Sequence, residues 1–293
     1  MRIKYVKLFI CIFGLSALAL ISCHHDSGSA SGVMPGNDSL NSTKKNADMS
    51  ADQDSETFLL PSPLQIASIF KNAGLSYIPG LTSTVKDASQ YNNTFDEAIN
   101  TGVFSADLSY CVLNKQTQPA LDYLKTVKSL SDKLGFGSVF QSNSLMTRFQ
   151  NNMGNTDSLA SVIADLQMET DSYLEANKQK YVGVIAFTGA WIESMYVGSK
   201  VFEKGKSSNV SSRISEQMNI LDNLIKLLNK YQSADTHIKS LLNDLQIIQN
   251  DYAGYNEVKS YNPDSDQTIT LTPEHLAQVS GLVQDLRNKL IAS

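Results

Sequence analysis

The chain has 293 residues, 42% of them hydrophobic, with 24 basic and 29 acidic side chains and a formal charge of −5. An acidic balance excludes the electrostatic footprint of a nucleic-acid binder or of a protein drawn to anionic lipid. Three cysteines and four histidines leave a thin supply of metal ligands and no disulfide framework.

The first residues follow a secretory pattern. Arg2, Lys4 and Lys7 give a basic start, and Leu8 to Ile21 form an apolar core interrupted only by Gly14 and Ser16. The segment closes on Leu20-Ile21-Ser22-Cys23, which resembles a bacterial lipobox. The resemblance implies a lipoprotein signal peptide over residues 1–22, cleavage before Cys23 and acylation of that cysteine. Acyl chains such as palmitate would then hold the protein on a membrane, each buried CH₂ contributing about 0.8 kcal/mol. His24 rather than Asp follows the cysteine, unlike an inner-membrane retention signal, so the expected residence is the cell envelope at the outer membrane. His24-His25-Asp26 is not expected to bind metal, because an acylated amine cannot ligate. Processing removes three basic residues and no acid, leaving 21 basic against 29 acidic residues and a charge of −8. Of the cysteines, Cys11 leaves with the signal and Cys23 is acylated. Cys111 remains alone among apolar neighbours, as a small buried hydrophobe rather than a reactive thiol.

Residues 23–57 carry the anchor and a tether. Beyond the cysteine they are rich in Ser, Asn, Asp, Gly, Lys and Ala, with only Val33, Met34, Leu40 and Met49 as sizeable apolar groups. Such a segment cannot bury enough surface to offset its ordering entropy and is expected to be disordered, with a reach of roughly 30 Å. Within it, Asp38-Ser39-Leu40 resembles the O-glycosylation acceptor of Bacteroidota.

Residues 58–293 read as a single all-α, multi-helix, bundle-like domain. Ser62-Pro63 is a cap followed by an N1 proline, with Leu64, Ile66, Ile69 and Phe70 behind it and Gly74 as stop. A loop at Ser76 to Gly80 leads to a second helix expected over about 87–100, which Gly102 should break before a third apolar turn at 104–113. Apolar residues at 121, 124, 127, 130 and 134 mark the next helix, closed by Gly135. A shorter one runs from Val139 to Phe149. Thr156 is the expected N-cap of a helix striped by Leu159, Val162, Ile163, Leu166, Tyr173 and Leu174.

The central element is expected over about 178–204. Its 18-residue core, Tyr181 to Gly198, is apolar on every side and holds one acid, Glu193, and the only tryptophan, Trp191. At about 1.5 Å per residue it could just span a bilayer. A mid-helix glutamate, three glycines and lysines 178, 180, 200 and 204 argue instead for a helix buried inside a bundle, with the glycines there for close packing. Three amphipathic helices follow, on stripes starting at Ile214, Ile238 and Leu276, the last opened by Thr272-Pro273. Gln267 to Leu271 alternates like a strand but has no partner strand.

Two acids fall where an apolar face is expected, Asp107 and Glu193. An unpaired buried carboxylate costs several kcal/mol, so each requires a partner or a shifted pKa. Arg148, one of two arginines in the folded region outside the last helix, is the expected partner, since guanidinium suits a bidentate pair. Two readings stand. In one, Asp107, Glu193 and Arg148 form a polar ligand pocket rimmed by Tyr110, Trp191 and Tyr196. In the other, the same charges form a salt bridge that fixes helix register. No catalytic residue, cofactor or metal site is expected: neither His237 nor His275 follows a glutamate at the di-iron spacing, and triad, phosphate-loop and haem motifs are missing.

Phe58-Leu-Leu-Pro-Ser-Pro63, Gly102-Val-Phe-Ser-Ala-Asp-Leu-Ser-Tyr110 and Gly189-Ala-Trp-Ile-Glu-Ser-Met-Tyr196 resemble segments of all-helical Bacteroidota lipoproteins of unassigned activity, which implies compartment and fold only. The expectation is a non-enzymatic protein, held to the membrane by its lipid, that binds a small ligand or an envelope protein. The alternatives are a purely structural envelope lipoprotein and, third, an enzyme using the two carboxyls.

Overall fold

The computed structural model describes residues 61–292 apart from 142–143, 206–207 and 263–267. The signal segment, Cys23, the tether and Asp38-Ser39-Leu40 lie outside the described residues. The described residues hold ten α-helices in order: α1 (Pro63–Asn72), α2 (Thr94–Leu113), α3 (Thr117–Lys133), α4 (Leu145–Asn151), α5 (Thr156–Ala176), α6 (Lys180–Gly205), α7 (Ser208–Lys230), α8 (His237–Gly254), α9 (Asn256–Lys259) and α10 (Pro273–Ile291). Short 3₁₀ turns sit at Ala88–Gln90 and Gly137–Phe140. Among the described residues there is no strand, so residues 268–271 do not pair. No described helix is long and apolar enough to cross a membrane.

Local chemistry sets the helix ends. Ser62 and Gln65 close a reciprocal capping box on α1, with Pro63 at its first position. Thr272 caps α10 in the same style, accepting from the His275 amide at 3.2 Å, and Pro273 follows it. The cap of α5 is Asn155, not Thr156; its side chain accepts from the Ser158 amide at 3.0 Å. Gly74 and Gly135 stop α1 and α3 at φ +103° and +89°, conformations that strain any residue with a Cβ.

The largest departure from expectation lies in α2. Instead of breaking at Gly102, the helix runs unbroken from Thr94 and is buried along most of its length. Gly102 is the point where α2 meets α6: a Cβ there would lie 1.7 Å from the Ala186 carbonyl oxygen. Gly189 answers it from α6, where a Cβ would come within 2.1 Å of the Ile99 carbonyl oxygen. Gly198 leaves room for the Phe70 ring of α1, 2.8 Å from the missing Cβ. Glycine in mid-helix costs about 1 kcal/mol relative to alanine, and here it permits backbone-to-backbone packing. The core is therefore built on two crossed helices, α2 and α6. The elements α1, α5, α7 and α10 pack on α6, and α3 packs on α2. Trp191, Ile185, Ile192 and Met195 of α6 are completely enclosed.

Candidate functional site

Asp107 and Glu193 are both fully buried, and they lie side by side across the α2–α6 crossing. Their cation is Arg287 of α10. Its Nε donates to Glu193 Oε2 at 2.6 Å and its Nη2 donates to Glu193 Oε1 at 2.9 Å, a bidentate fork. The same Nη2 donates to Ser83 Oγ at 2.8 Å, and the guanidinium stacks on the Tyr196 ring, 4.0 Å from its centroid.

Ser83, from the loop between α1 and α2, ties the group together. Its backbone N–H donates to Asp107 Oδ2 at 3.0 Å, its carbonyl accepts from the Tyr123 hydroxyl at 2.5 Å, and its own hydroxyl reaches Glu193 Oε1 at 3.4 Å. Tyr110 anchors the start of that loop, accepting from the Ile78 amide at 2.7 Å and donating to the Ser76 carbonyl at 3.0 Å. The loop lies as a strap over the charges.

One arginine faces two carboxyls, so one carboxyl stays protonated. Burial, followed by the charge of Glu193, raises the Asp107 pKa well above the usual carboxylate range. Its Oδ1 meets no donor among the described residues, which makes Asp107 the member that keeps its proton beside Glu193. Burial raises Glu193 too, but the Arg287 fork, Asp107 and Ser83 all pull it back. Glu193 is therefore the ionised member. Arg287 works against its own burial, yet the bonds and charge of Glu193 hold its pKa above the ordinary value. The result is a neutral, closed cluster of arginine, carboxylate and carboxylic acid.

Two expected members lie elsewhere. Arg148 of α4 pairs with Asp165 of α5 at 2.6 Å, with both side chains more than a third exposed; it is a surface pair and touches neither buried acid. Trp191 turns away as well, because two residues along a helix rotate the side chain by about 200°. Its Nε1 donates to the Gln217 carbonyl of α7 at 3.3 Å, opposite the face of Glu193. Asp107, Glu193 and Tyr196 do gather, and Tyr110 holds the start of the loop that covers them. Ser83, Tyr123 and Arg287 are members that sequence reasoning missed. Arg287 had a signal: it stands four residues after Val283 and three before Leu290, on the buried face of α10.

Comparison with known families, curated proteins and solved structures finds no match for this chain.

A second feature is open to solvent. Between α7, α8 and α9, and bordered by Thr268 and Ile269 ahead of α10, lies a cleft of about 460 Å³. Met218, Ser215 and Tyr252 form its buried floor, while Asn219, Asp222 and Asn250 are exposed at its rim. Its size falls in the range of small-molecule sites, roughly 300–1,000 Å³. The acid–arginine cluster contributes no residue to it. Among the described residues no group of three or more His, Cys, Asp or Glu could hold a metal ion. Cys111 is buried on α2, its thiol pushed up to about 12 by burial and the nearby Asp107.

Proposed function

We propose that this is a membrane-tethered envelope lipoprotein, non-enzymatic, whose helical domain binds a small ligand in the α7–α8 cleft. The anchor follows from Leu20-Ile21-Ser22-Cys23, and outer-membrane residence from His24 in place of an acidic residue. The binding half rests on one observation, an open cleft of about 460 Å³ with a buried floor of Met218, Ser215 and Tyr252 and a polar rim. The buried acids play a different part. Asp107 and Glu193 are sealed beneath the Ser83 strap, Asp107 bonded by the Ser83 amide and Glu193 by the Arg287 fork, which suits holding three helices in register rather than meeting a substrate.

The test compares the mature protein with an Ala253→Trp variant, since Ala253 is an exposed residue lining the cleft and an indole there would fill it. A library of small metabolites screened by thermal shift should yield a compound that raises Tm of the first and not of the second. A library with no binder, or binders indifferent to the substitution, would favour the purely structural lipoprotein, the reading that the sealed cluster by itself supports.

A further inference from the structure

We propose that the occupant of the α7–α8 cleft is a neutral polyhydroxylated molecule, a saccharide of one or two rings. The proposal rests on the reading of that cleft as a ligand site and adds the chemistry of its occupant.

Charge narrows the choice first. Among the described residues no Lys, Arg or His lines the cleft, so a phosphate or carboxylate ligand would find no charge-assisted donor there to replace its hydration. The two lining carboxylates are already engaged. Both Glu216 oxygens accept from Arg213 Nη1 at 2.6 Å, and Asp222 Oδ1 accepts from the Gln249 side-chain amide. Glu216 is neutralised by its own arginine, and Asp222, which keeps its charge beside a neutral amide, is exposed at the rim, where pairing with an amine contributes little.

What remains is a set of groups that both donate and accept. The rim offers the side-chain amides of Asn219, Gln249 and Asn250. The floor offers the Ser215 hydroxyl beside the phenol of Tyr252, which burial pushes up to about 12 so that it stays neutral. Sugar hydroxyls have the same dual character, and amides and hydroxyls satisfy them without regard to proton direction. The apolar part fits as well. Tyr261 stands at the mouth as a residue 40% exposed, close to Tyr252. An amphipathic ring gives a flat apolar face with a polar tip, suited to a pyranose C–H face bordered by hydroxyls. A purely apolar ligand would leave the amides unpaired, which disfavours it.

The experiment uses the mature lipidated protein in a detergent without a sugar headgroup. Saturation-transfer NMR is run with cellobiose, maltose, lactose and N,N′-diacetylchitobiose, with glucuronate as the anionic probe and spermidine as the cationic one. At least one neutral disaccharide is expected to bind. Asn219→Ala and Tyr261→Ala should each weaken it about ten-fold, the loss expected when one good hydrogen bond or ring contact goes. Asp222→Asn, which keeps an acceptor at the rim, should leave it within roughly three-fold, below the loss of a full hydrogen bond. If spermidine binds, is lost with Asp222→Asn, and no neutral sugar binds, the ligand class is overturned while the cleft stands as a site. If no sugar binds although the metabolite screen finds a ligand blocked by Ala253→Trp, the saccharide proposal alone falls. If neither experiment gives a binder, the site reading falls with it.

Discussion

Asp107 sits in the core with a proton and no cation of its own, and this makes stability depend on pH in a defined direction. Its folded pKa lies above the ordinary value because burial disfavours the charge and Glu193 repels it. The stabilisation from burying the neutral acid is complete below the unfolded pKa near 3.9. It falls as pH rises above that value, by roughly 1 kcal/mol per pH unit, until Asp107 itself ionises in the fold. Asp107→Asn supplies a permanently neutral group that can still accept from the Ser83 amide and donate to Glu193. The variant should therefore match the parent in acid and grow relatively more stable toward neutral pH, as denaturant melts across the range would record. A constant difference at all pH values would mean that Asp107 is not the protonated member. Glu193 is also raised by burial, but it is the member that Arg287 bonds. Glu193→Gln strands the Arg287 charge in the core and should cost roughly 3–5 kcal/mol at neutral pH. Combining Glu193→Leu with Arg287→Met, which removes both charges, should recover part of that loss.

Helix by helix, α6 was legible because an apolar surface on every side leaves only the interior of a bundle for an 18-residue stretch bearing an acid. The partner it crosses, α2, was not. Gly102 carries the same letter as a helix stop, and only the approach of Ala186 distinguishes a breaker from a packing residue. The α10 cap was plain from Thr272-Pro273, whereas Arg287 was hidden by the habit of assigning arginine to solvent although its spacing sets it on the buried stripe. Arg148 invited the opposite error. The cleft gave no signal, since Ser215, Asn219 and Asp222 at i, i+4 and i+7 look like any solvated helix face. The glycines make a paired prediction. Gly102→Ala or Gly189→Ala should destabilise by about 3 kcal/mol or more, because a backbone oxygen stands in the way and the helices must separate. Gly281→Ala, within α10 and with open space around its missing Cβ, should gain about 0.5–1 kcal/mol. Equilibrium unfolding of the three variants separates close packing from simple helix propensity.

For the molecule as a whole, the charge cluster joins positions 83, 107, 193 and 287, so the helical domain closes only when its last helix docks. Lys86 donating to the Ile291 carbonyl fastens the end of that helix to the same loop. The attachment to the membrane is a separate matter, proposed to rest on one residue, Cys23. Cys23→Ser should move the protein from the membrane to the soluble fraction without altering the melt of the helical domain. Continued sedimentation with membranes would sink the lipoprotein reading.

On the proposed processing, which removes Cys11 and acylates Cys23, Cys111 is left as the one free thiol, shielded on α2 and held protonated. A thiol so placed acts as an internal clock. Alkylating reagents should leave it unmodified for as long as the α2–α6 crossing stays shut, and its labelling rate then reports how often that crossing opens. Strengthening the crossing should lengthen the interval and weakening it should shorten it, with mass spectrometry as the only readout required.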